Sequence, residues 1–174
     1  ALVEVNRGWP RGCRFCAACC VYHPFRNRSL SLLHSISKEA LLKEHRIGLT
    51  GTAVSDHPQL LPLCQGILSQ QGGISLSSLR VDAVTPSLIQ CLREGKERTV
   101  AIAPEAGSER LRRMLKKGYA EEEILKSIDT LVENGLSQIK CYFLIVLPSE
   151  TDEDIKVILL LAKRIRHQIL SYSK

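Results

Sequence analysis

Four of the chain's seven cysteines fall within the segment 13–20. They are Cys13, Cys16, Cys19 and Cys20. Thiolates at such close spacing ligate soft metal ions or iron–sulfur clusters, or act as a redox pair. The remaining cysteines stand singly in apolar surroundings, which predicts that they are buried as small hydrophobic side chains. These are Cys64, Cys91 and Cys141.

The spacing within this segment separates three kinds of site. Zinc sites usually combine two Cys/His pairs a dozen or more residues apart. No second pair follows here, and the nearby imidazoles are His23 and His34. The pattern Cys13-x2-Cys16-x2-Cys19 instead matches three thiolates that hold an iron–sulfur cube and leave the fourth iron open. The sequence favours such a cluster, with zinc or a redox thiol pair as alternatives.

Length and composition limit the remaining functions. The 174 residues suffice for one domain with a sizeable core, and 44% hydrophobic with 24% charged residues is typical of globular proteins. The chain has neither an apolar run of about 18 residues nor a signal peptide. We therefore predict a reducing, cytoplasmic location without membrane contact. Because the chain starts in a strand-like run without Met, we interpret it as part of a longer protein.

A net charge of +6 raises the question of a nucleic-acid partner. Lys and Arg are mixed with Glu along helical segments, and only 5% of residues are aromatic. Single-stranded nucleic acids are bound by basic grooves that carry aromatic side chains for base stacking. Nucleic-acid binding is therefore an alternative that the sequence does not favour.

Apolar periodicity predicts the elements that position the cysteines. Five β-branched, apolar runs are expected to be strands, and a helical pattern follows each of them. They are 2–5, 47–54, 76–81, 99–103 and 139–147. Near-continuous apolar strands alternating with helices indicate a parallel sheet covered by helices. This alternation fits either an open doubly wound sheet or a partial barrel, and the lack of Gly-x-Gly-x-x-Gly after the first strand weakens a dinucleotide-binding fold. The fivefold alternation, together with the strand-end motifs described below, leads us to predict an α/β partial barrel.

Capping signals define the expected helices. Ser37 is predicted to cap a helix that ends near Arg46, and Thr151 with Asp154 has the form of a capping box. Three further helices follow from apolar spacing with glycine stops, at 60–68, 85–95 and 124–135. Ligands of parallel α/β folds bind at the carboxyl ends of the strands. The cysteine segment follows the first strand directly and is therefore expected at that end.

Residues 7–16, RGWPRGCRFC, resemble the cluster loop of radical S-adenosylmethionine (SAM) enzymes, in particular the branch that often carries a cobalamin-binding domain. The family signature is Cys-x3-Cys-x-aromatic-Cys. Its second cysteine, aromatic residue and third cysteine are matched by Cys13, Phe15 and Cys16. Four further segments are similar to family stretches at the strand ends: 51–58 (GTAVSDHP), 78–80 (SLR), 103–111 (APEAGSERL) and 147–154 (LPSETDED).

This resemblance implies a TIM-like radical SAM core over residues 1–174, with about five βα units and with the sixth strand and flanking domains outside this chain. It implies a [4Fe–4S] cluster whose open iron chelates SAM and delivers the electron that cleaves it to a 5′-deoxyadenosyl radical. A flavodoxin- or ferredoxin-type donor would supply the electron, and cobalamin would bind through another domain. The substrate, whether RNA, protein or a small molecule, is not readable.

The resemblance also implies the residues that bind SAM. Phe15 would lie against the adenine, and 51–53 would offer backbone groups to the methionyl end. Glu105 would bind the amino group or ribose, or act as an acid at a helix N-terminus. Arg80 would pair with a carboxylate of SAM or of the protein surface, and Gly107 would allow close approach. The expected set is Phe15, Gly51, Thr52, Ala53, Arg80, Glu105, Gly107 and Ser108.

Two positions depart from the family pattern. Val146 stands where the family has Gly, although Val prefers strand geometry. Trp9 stands where the family has its first cysteine, and an indole does not ligate iron. Three explanations stay open: Cys19, or less favourably Cys20, supplies the third thiolate; the cluster is lost and a degenerate module binds zinc, a partner or nothing; or Trp9 is a sequencing artefact.

Overall fold

The structure is a computed structural model that describes residues 1–172. The six strands are β1 (Leu2–Arg7), β2 (Arg26–Asn27), β3 (Arg46–Gly51), β4 (Gly73–Leu76), β5 (Thr99–Glu105) and β6 (Gln138–Phe143). The seven α-helices within residues 1–172 are α1 (Ala18–Val21), α2 (Leu30–Leu41), α3 (Leu60–Leu68), α4 (Pro86–Glu94), α5 (Glu109–Met114), α6 (Glu121–Glu133) and α7 (Asp152–Ser171). The predicted alternation of five strands with helices is confirmed.

Parallel pairing joins these strands into a partial barrel. β3 lies between β1 and β4 and pairs with both in parallel, and β5 pairs in parallel with β6. A parallel bridge between Leu79 and Ile102 connects the two sheets. The predicted α/β partial barrel is therefore confirmed. The short β2, which pairs antiparallel with β1 at the sheet edge, was not predicted because two polar residues show no periodicity.

Helices and strands enclose one main apolar core. Side chains with no exposed surface come from most elements and include Val5, Leu33, Ile47, Ile67, Ile74, Ile89, Ile102 and Ile128. Cys64 and Cys91 are buried in this core as predicted, and Cys141 is half-buried against it. Burial raises the pKa of Cys64 to about 12 and that of Cys141 to about 11, so both stay neutral thiols. Within residues 1–172 no helix has the length and apolarity needed to cross a bilayer.

The limits of several elements differ from the sequence signals. α2 is capped by Ser29, which accepts a hydrogen bond from Leu32 N at 3.4 Å, so the predicted cap at Ser37 is wrong. Ser37 is buried inside α2, because the apolar stripe that includes Leu33 begins before it. β4 overlaps the predicted run 76–81 only at Leu76, and β3 and β6 end earlier than predicted. The residues released from these strands form the loops at the carboxyl ends.

Asp154 ties the loop after β5 to the start of α7. Its carboxylate accepts hydrogen bonds from Thr151 N at 3.0 Å and Thr151 Oγ1 at 2.8 Å, which confirms the capping box. It also accepts hydrogen bonds from Ser108 Oγ at 2.5 Å and from Arg110. These donors, Ser108 above all, hold the pKa of Asp154 well below its ordinary value of 3.8.

We expect Asp154→Asn to lower the free energy of unfolding at neutral pH by about 1–2 kcal/mol. The NH2 group of asparagine is a hydrogen-bond donor, so it cannot accept hydrogen bonds as the carboxylate oxygen that it replaces does. A lowered pKa stabilises the folded state above the unfolded-state pKa, and the contribution disappears as pH falls toward the folded-state value. The difference between wild type and variant should therefore shrink below about pH 4. Urea unfolding at several pH values measures it. A difference that does not change with pH would contradict this role of the carboxylate.

Candidate functional site

A cavity of about 230 Å³ opens where the strands end, and loops that follow β1, β3, β4 and α5 form its walls together with β5. Eight of the predicted residues line it: Cys13, Phe15, Cys16, Gly51, Thr52, Ala53, Arg80 and Glu105. Trp9 and Lys117 also line it, although neither was expected to bind a ligand. The predicted residues that do not line it are Cys19, Gly107 and Ser108.

The cysteine segment is anchored across the end of the barrel. Cys13 is buried, and its carbonyl accepts a hydrogen bond from Cys16 N at 3.3 Å, so the two cysteines share one turn. Arg14 N donates to Leu115 O at 3.2 Å, and the Arg14 guanidinium donates to Met114 O at 3.1 Å. The turn that carries Cys13 and Cys16 is therefore fixed to the end of α5.

Cys19 lies in α1 and does not line the cavity. Its Sγ donates to Cys16 O at 3.2 Å and lies 3.6 Å from Cys20 Sγ. The hydrogen bond with Cys20 raises the pKa of the Cys19 thiol, which opposes ionisation. In the part of the chain that the structure describes, no group of three Cys, His, Asp or Glu side chains is arranged to hold a metal ion. Two of the three predicted cluster ligands thus line the cavity, and the third does not.

Trp9 contributes an aromatic wall to the same cavity. The preceding Gly8 has φ +97°, and a Cβ there would lie 2.4 Å from Tyr22 O, so only glycine fits this turn. The indole nitrogen of Trp9 is buried and has no hydrogen-bond partner. An aromatic ring therefore lines the cavity at the chain position where the family pattern has a thiolate.

A buried asparagine holds the loop after β3. Asn6 Nδ2 donates to Ala53 O at 2.6 Å, and Asn6 Oδ1 accepts from Ala53 N at 3.2 Å. The Ala53 N–H is therefore already engaged. A Cβ on Gly51 would lie 2.4 Å from Asn6 Oδ1, and Thr52 Oγ1 donates to Gly8 O. Asn6 was missed, although an amide at the end of an apolar strand run is a signal that could have identified it.

Glu105 and Lys117 form an ion pair on the cavity wall. Lys117 Nζ lies 3.1 Å from Glu105 Oε1, with side chains only 7% and 12% exposed. The ammonium also lies 6.0 Å from the centre of the Phe15 ring. Glu105 has φ +67°, an uncommon conformation for a non-glycine residue, at the point where the β5–β6 register shifts. Lys117 was missed because a Lys-Lys-Gly sequence is typical of a solvated helix end.

Arg80 takes part in a charge network that holds the cavity loops together. Its guanidinium lies 2.9 Å from Asp82 and 3.8 Å from Asp56, and 5.3 Å from the centre of the Tyr119 ring. Arg11 of the cysteine segment contacts the same carboxylates, at 2.6 Å for Asp56 and 3.7 Å for Asp82. The Arg80 side chain is only 9% exposed, so this is not a surface ion pair. The network fixes the cysteine segment to the loops after β3 and β4.

Gly107 and Ser108 pack elements against each other. A Cβ on Gly107 would lie 2.4 Å from Ile158 N, so the glycine allows α7 to pack closely on the loop after β5. Ser108 caps α5, because its Oγ accepts a hydrogen bond from Leu111 N at 3.3 Å, and it also donates to Asp154. The Glu-x-Gly-Ser segment thus contributes its glutamate to the cavity and its glycine and serine to helix packing.

Val146, at the position where the family pattern has glycine, has a left-handed backbone conformation that favours glycine. Its φ is +65°, which is an outlier for a β-branched residue. The carboxylate of Glu150 accepts hydrogen bonds from Val146 N at 2.5 Å and from Leu147 N at 3.2 Å. The turn is therefore held by a side chain that compensates for the missing glycine, and the Val146 side chain projects into solvent.

These features define an α/β partial-barrel protein with a ligand cavity at the carboxyl ends of parallel strands and a cysteine loop after the first strand. The family model of the radical SAM superfamily matches residues 3–162. The chain belongs to the radical SAM superfamily, as its sequence motifs predicted.

A curated protein is similar to nearly the whole of this chain. The chain is 39% identical over 170 residues to the uncharacterized protein MJ0966 of Methanocaldococcus jannaschii. The aligned residues make up 97% of this chain and 38% of that protein. The chain thus spans well under half the length of this curated relative.

Solved structures share the fold at low sequence identity. The cobalamin-dependent SAM radical enzyme OxsB superposes with a TM-score of 0.73 at 15% identity, over 92% of this chain and 26% of OxsB. The radical SAM methyltransferase TsrM from Kitasatospora setae, with cobalamin and a [4Fe–4S] cluster bound, gives 0.75 at 14% identity, over 93% and 32%. Coproporphyrinogen III oxidase HemN from Escherichia coli gives 0.64 at 13% identity, over 96% and 41%. The predicted radical SAM fold is confirmed.

Proposed function

We propose that residues 1–174 are the SAM-binding core domain of a radical SAM enzyme. The observation that carries this proposal is the composition of the cavity. SAM offers an adenine, a carboxylate and an ammonium group. Phe15 can stack on the adenine, the Glu105 carboxylate suits the ammonium, and Arg80 and Lys117 suit the carboxylate. Gly51 and Thr52 complete the proposed wall beside the methionyl end.

The proposal includes a [4Fe–4S] cluster on the cysteine loop, which when bound supplies the electron that cleaves SAM. Cys13 and Cys16 are the proposed ligands because both line the cavity. Cys19 is the proposed third ligand, before Cys20. Its thiol contacts the Cys16 carbonyl, so cluster binding requires α1 to rearrange and release this contact. As arranged, the three thiols do not fit a cluster tripod.

We extend this proposal to the whole protein. We assign it a flavodoxin- or ferredoxin-type electron donor, a cytoplasmic location and cobalamin bound by another domain. The cobalamin found in OxsB and TsrM supports the last assignment by fold similarity. Methyl transfer and sulfur transfer are among the reactions open to such an enzyme, and the proposal names neither the substrate nor the outcome.

A second function is favoured by the contrast between Trp9 and Cys19. Trp9 lines the cavity at the position of the family's first cysteine, whereas Cys19 does not line it and donates to Cys16 O. This arrangement suits a module that has lost the cluster, with thiols that bind zinc or no metal. Metal analysis of the purified protein separates the two functions, because the first predicts iron and the second predicts zinc or neither.

Cysteine variants test the first function after anaerobic reconstitution with iron and sulfide. Cys13→Ala and Cys16→Ala should abolish the visible and electron paramagnetic signals of the cluster, and Cys19→Ala should nearly do so. Cys20→Ala is the matched control and should retain the iron content of the wild type. Full iron content in Cys19→Ala would contradict the proposed third ligand.

SAM binding is tested separately by thermal unfolding. A ligand at about 100 times its dissociation constant adds about 2.7 kcal/mol to the free energy of unfolding. We expect SAM to raise the melting temperature of the reconstituted protein, which should also release 5′-deoxyadenosine on reduction. Absence of both effects would contradict the first function.

A further inference from the structure

Trp9 is a cavity residue to which the family pattern gives no role. Its indole and the Phe15 ring are the aromatic side chains of the described chain that line the cavity. The Trp9 nitrogen is buried without a partner, so the part of the indole that remains accessible is carbon surface. An electron-rich carbon ring is therefore available to a ligand in this cavity.

The carboxylate among the described residues that line the cavity is already paired, so it is not free to bind a cationic group of a ligand. Lys117 neutralises Glu105, the acidic residue of the lining, at 3.1 Å. Arg80 adds a positive charge that is balanced by Asp82 at 2.9 Å. An ammonium group of a ligand would compete with Lys117 for Glu105. Any second cationic group of that ligand therefore needs another partner. The face of a tryptophan is the best aromatic partner for a cation.

We propose that Trp9 binds the sulfonium centre of SAM through a cation–π contact in the iron-free protein. This inference rests on the proposed SAM site and adds a specificity that needs no cluster. S-adenosylhomocysteine has the same adenosine and amino-acid groups as SAM but a neutral thioether in place of the sulfonium. The site should therefore distinguish SAM from S-adenosylhomocysteine by the charge at sulfur.

Calorimetric titration of chelator-treated, iron-free protein with SAM and with S-adenosylhomocysteine tests the inference. We expect the wild type to bind SAM about 5- to 30-fold more tightly, the range expected of a cation–π contact. Trp9→Leu should remove this preference by weakening SAM binding alone, and Trp9→Phe should retain part of it. Phe15→Leu is the matched control, because loss of a ring that stacks on adenine should weaken both ligands by the same factor.

The outcomes separate this inference from the proposed function. Equal, measurable affinities for both ligands in the wild type would overturn the cation–π contact and leave the SAM site intact. A preference that persists in Trp9→Leu would overturn it as well, and circular dichroism confirms that the variants fold. If neither ligand binds, the inference is overturned. SAM titration of iron-loaded Trp9→Cys protein then decides whether the proposed function fails with it.

Discussion

Trp9→Cys is expected to raise the iron content after anaerobic reconstitution several-fold, toward four irons per chain. The substitution restores the family signature Cys-x3-Cys-x-aromatic-Cys, because the new thiol precedes Cys13 by the required spacing. It also removes a bulky ring that lines the cavity beside Cys13 and Cys16. Both changes favour a cluster, one by adding a ligand and the other by making room. Trp9→Ser provides the room without the thiolate and should leave the iron content low.

The same substitution should make Cys19 dispensable. In wild type, Cys19→Ala removes the proposed third thiolate, whereas in Trp9→Cys three thiolates are present without it. Iron and sulfide content of the two single variants and the double variant forms a cycle that measures this dependence. Equal loss of iron on Cys19→Ala in both backgrounds would show that Cys19 acts independently of Trp9, contrary to our proposal.

Arg112→Met is expected to lower the free energy of unfolding by about 3 kcal/mol. The Arg112 side chain is fully buried, and burial lowers its pKa. Its Nε donates to Tyr119 O at 2.7 Å, and Nη1 donates to the carbonyls of Ala106 and Gly107 at 3.1 and 2.5 Å. Methionine fills a similar volume but leaves three buried carbonyls without these donors, each at a cost of about 1–3 kcal/mol.

An opposing effect limits the size of this loss. Removing a buried charge relieves its desolvation, and no carboxylate pairs with Arg112 in the hydrogen bonds above. We expect the cost of the unsatisfied carbonyls to outweigh this relief, because the lost hydrogen bonds join two separate segments, 106–107 and Tyr119. Urea unfolding measures the effect. Arg113→Met is the control, since Arg113 is 75% exposed and makes only a surface pair with Glu109. Equal midpoints for Arg112→Met and wild type would contradict the role of Arg112 as a clamp.

The types and the order of the five parallel strands and of the main helices could be predicted from the sequence. Local signals were sufficient wherever a residue acts on its own helix or strand, as with the capping box of Thr151 and Asp154 or the cap at Thr85, which accepts from Leu88 N at 3.4 Å. The sequence also identified the carboxyl ends of the strands as the ligand side. The signal failed at Ser37, because Ser29 has the same capping chemistry and the apolar stripe of α2 decides between them.

The tertiary structure determines which side chains share the cavity, and the sequence could not predict this. The Glu105–Lys117 pair, the contact of Asn6 with Ala53 and the network from Arg11 to Arg80 join segments that are far apart in the chain. It likewise placed Trp9 on the cavity wall and turned Cys19 toward Cys20. The sequence spacing of two cysteines gives only their separation along the chain. The direction of each thiol depends on the backbone turn, and packing against α5 fixes the turn that carries Cys13 and Cys16.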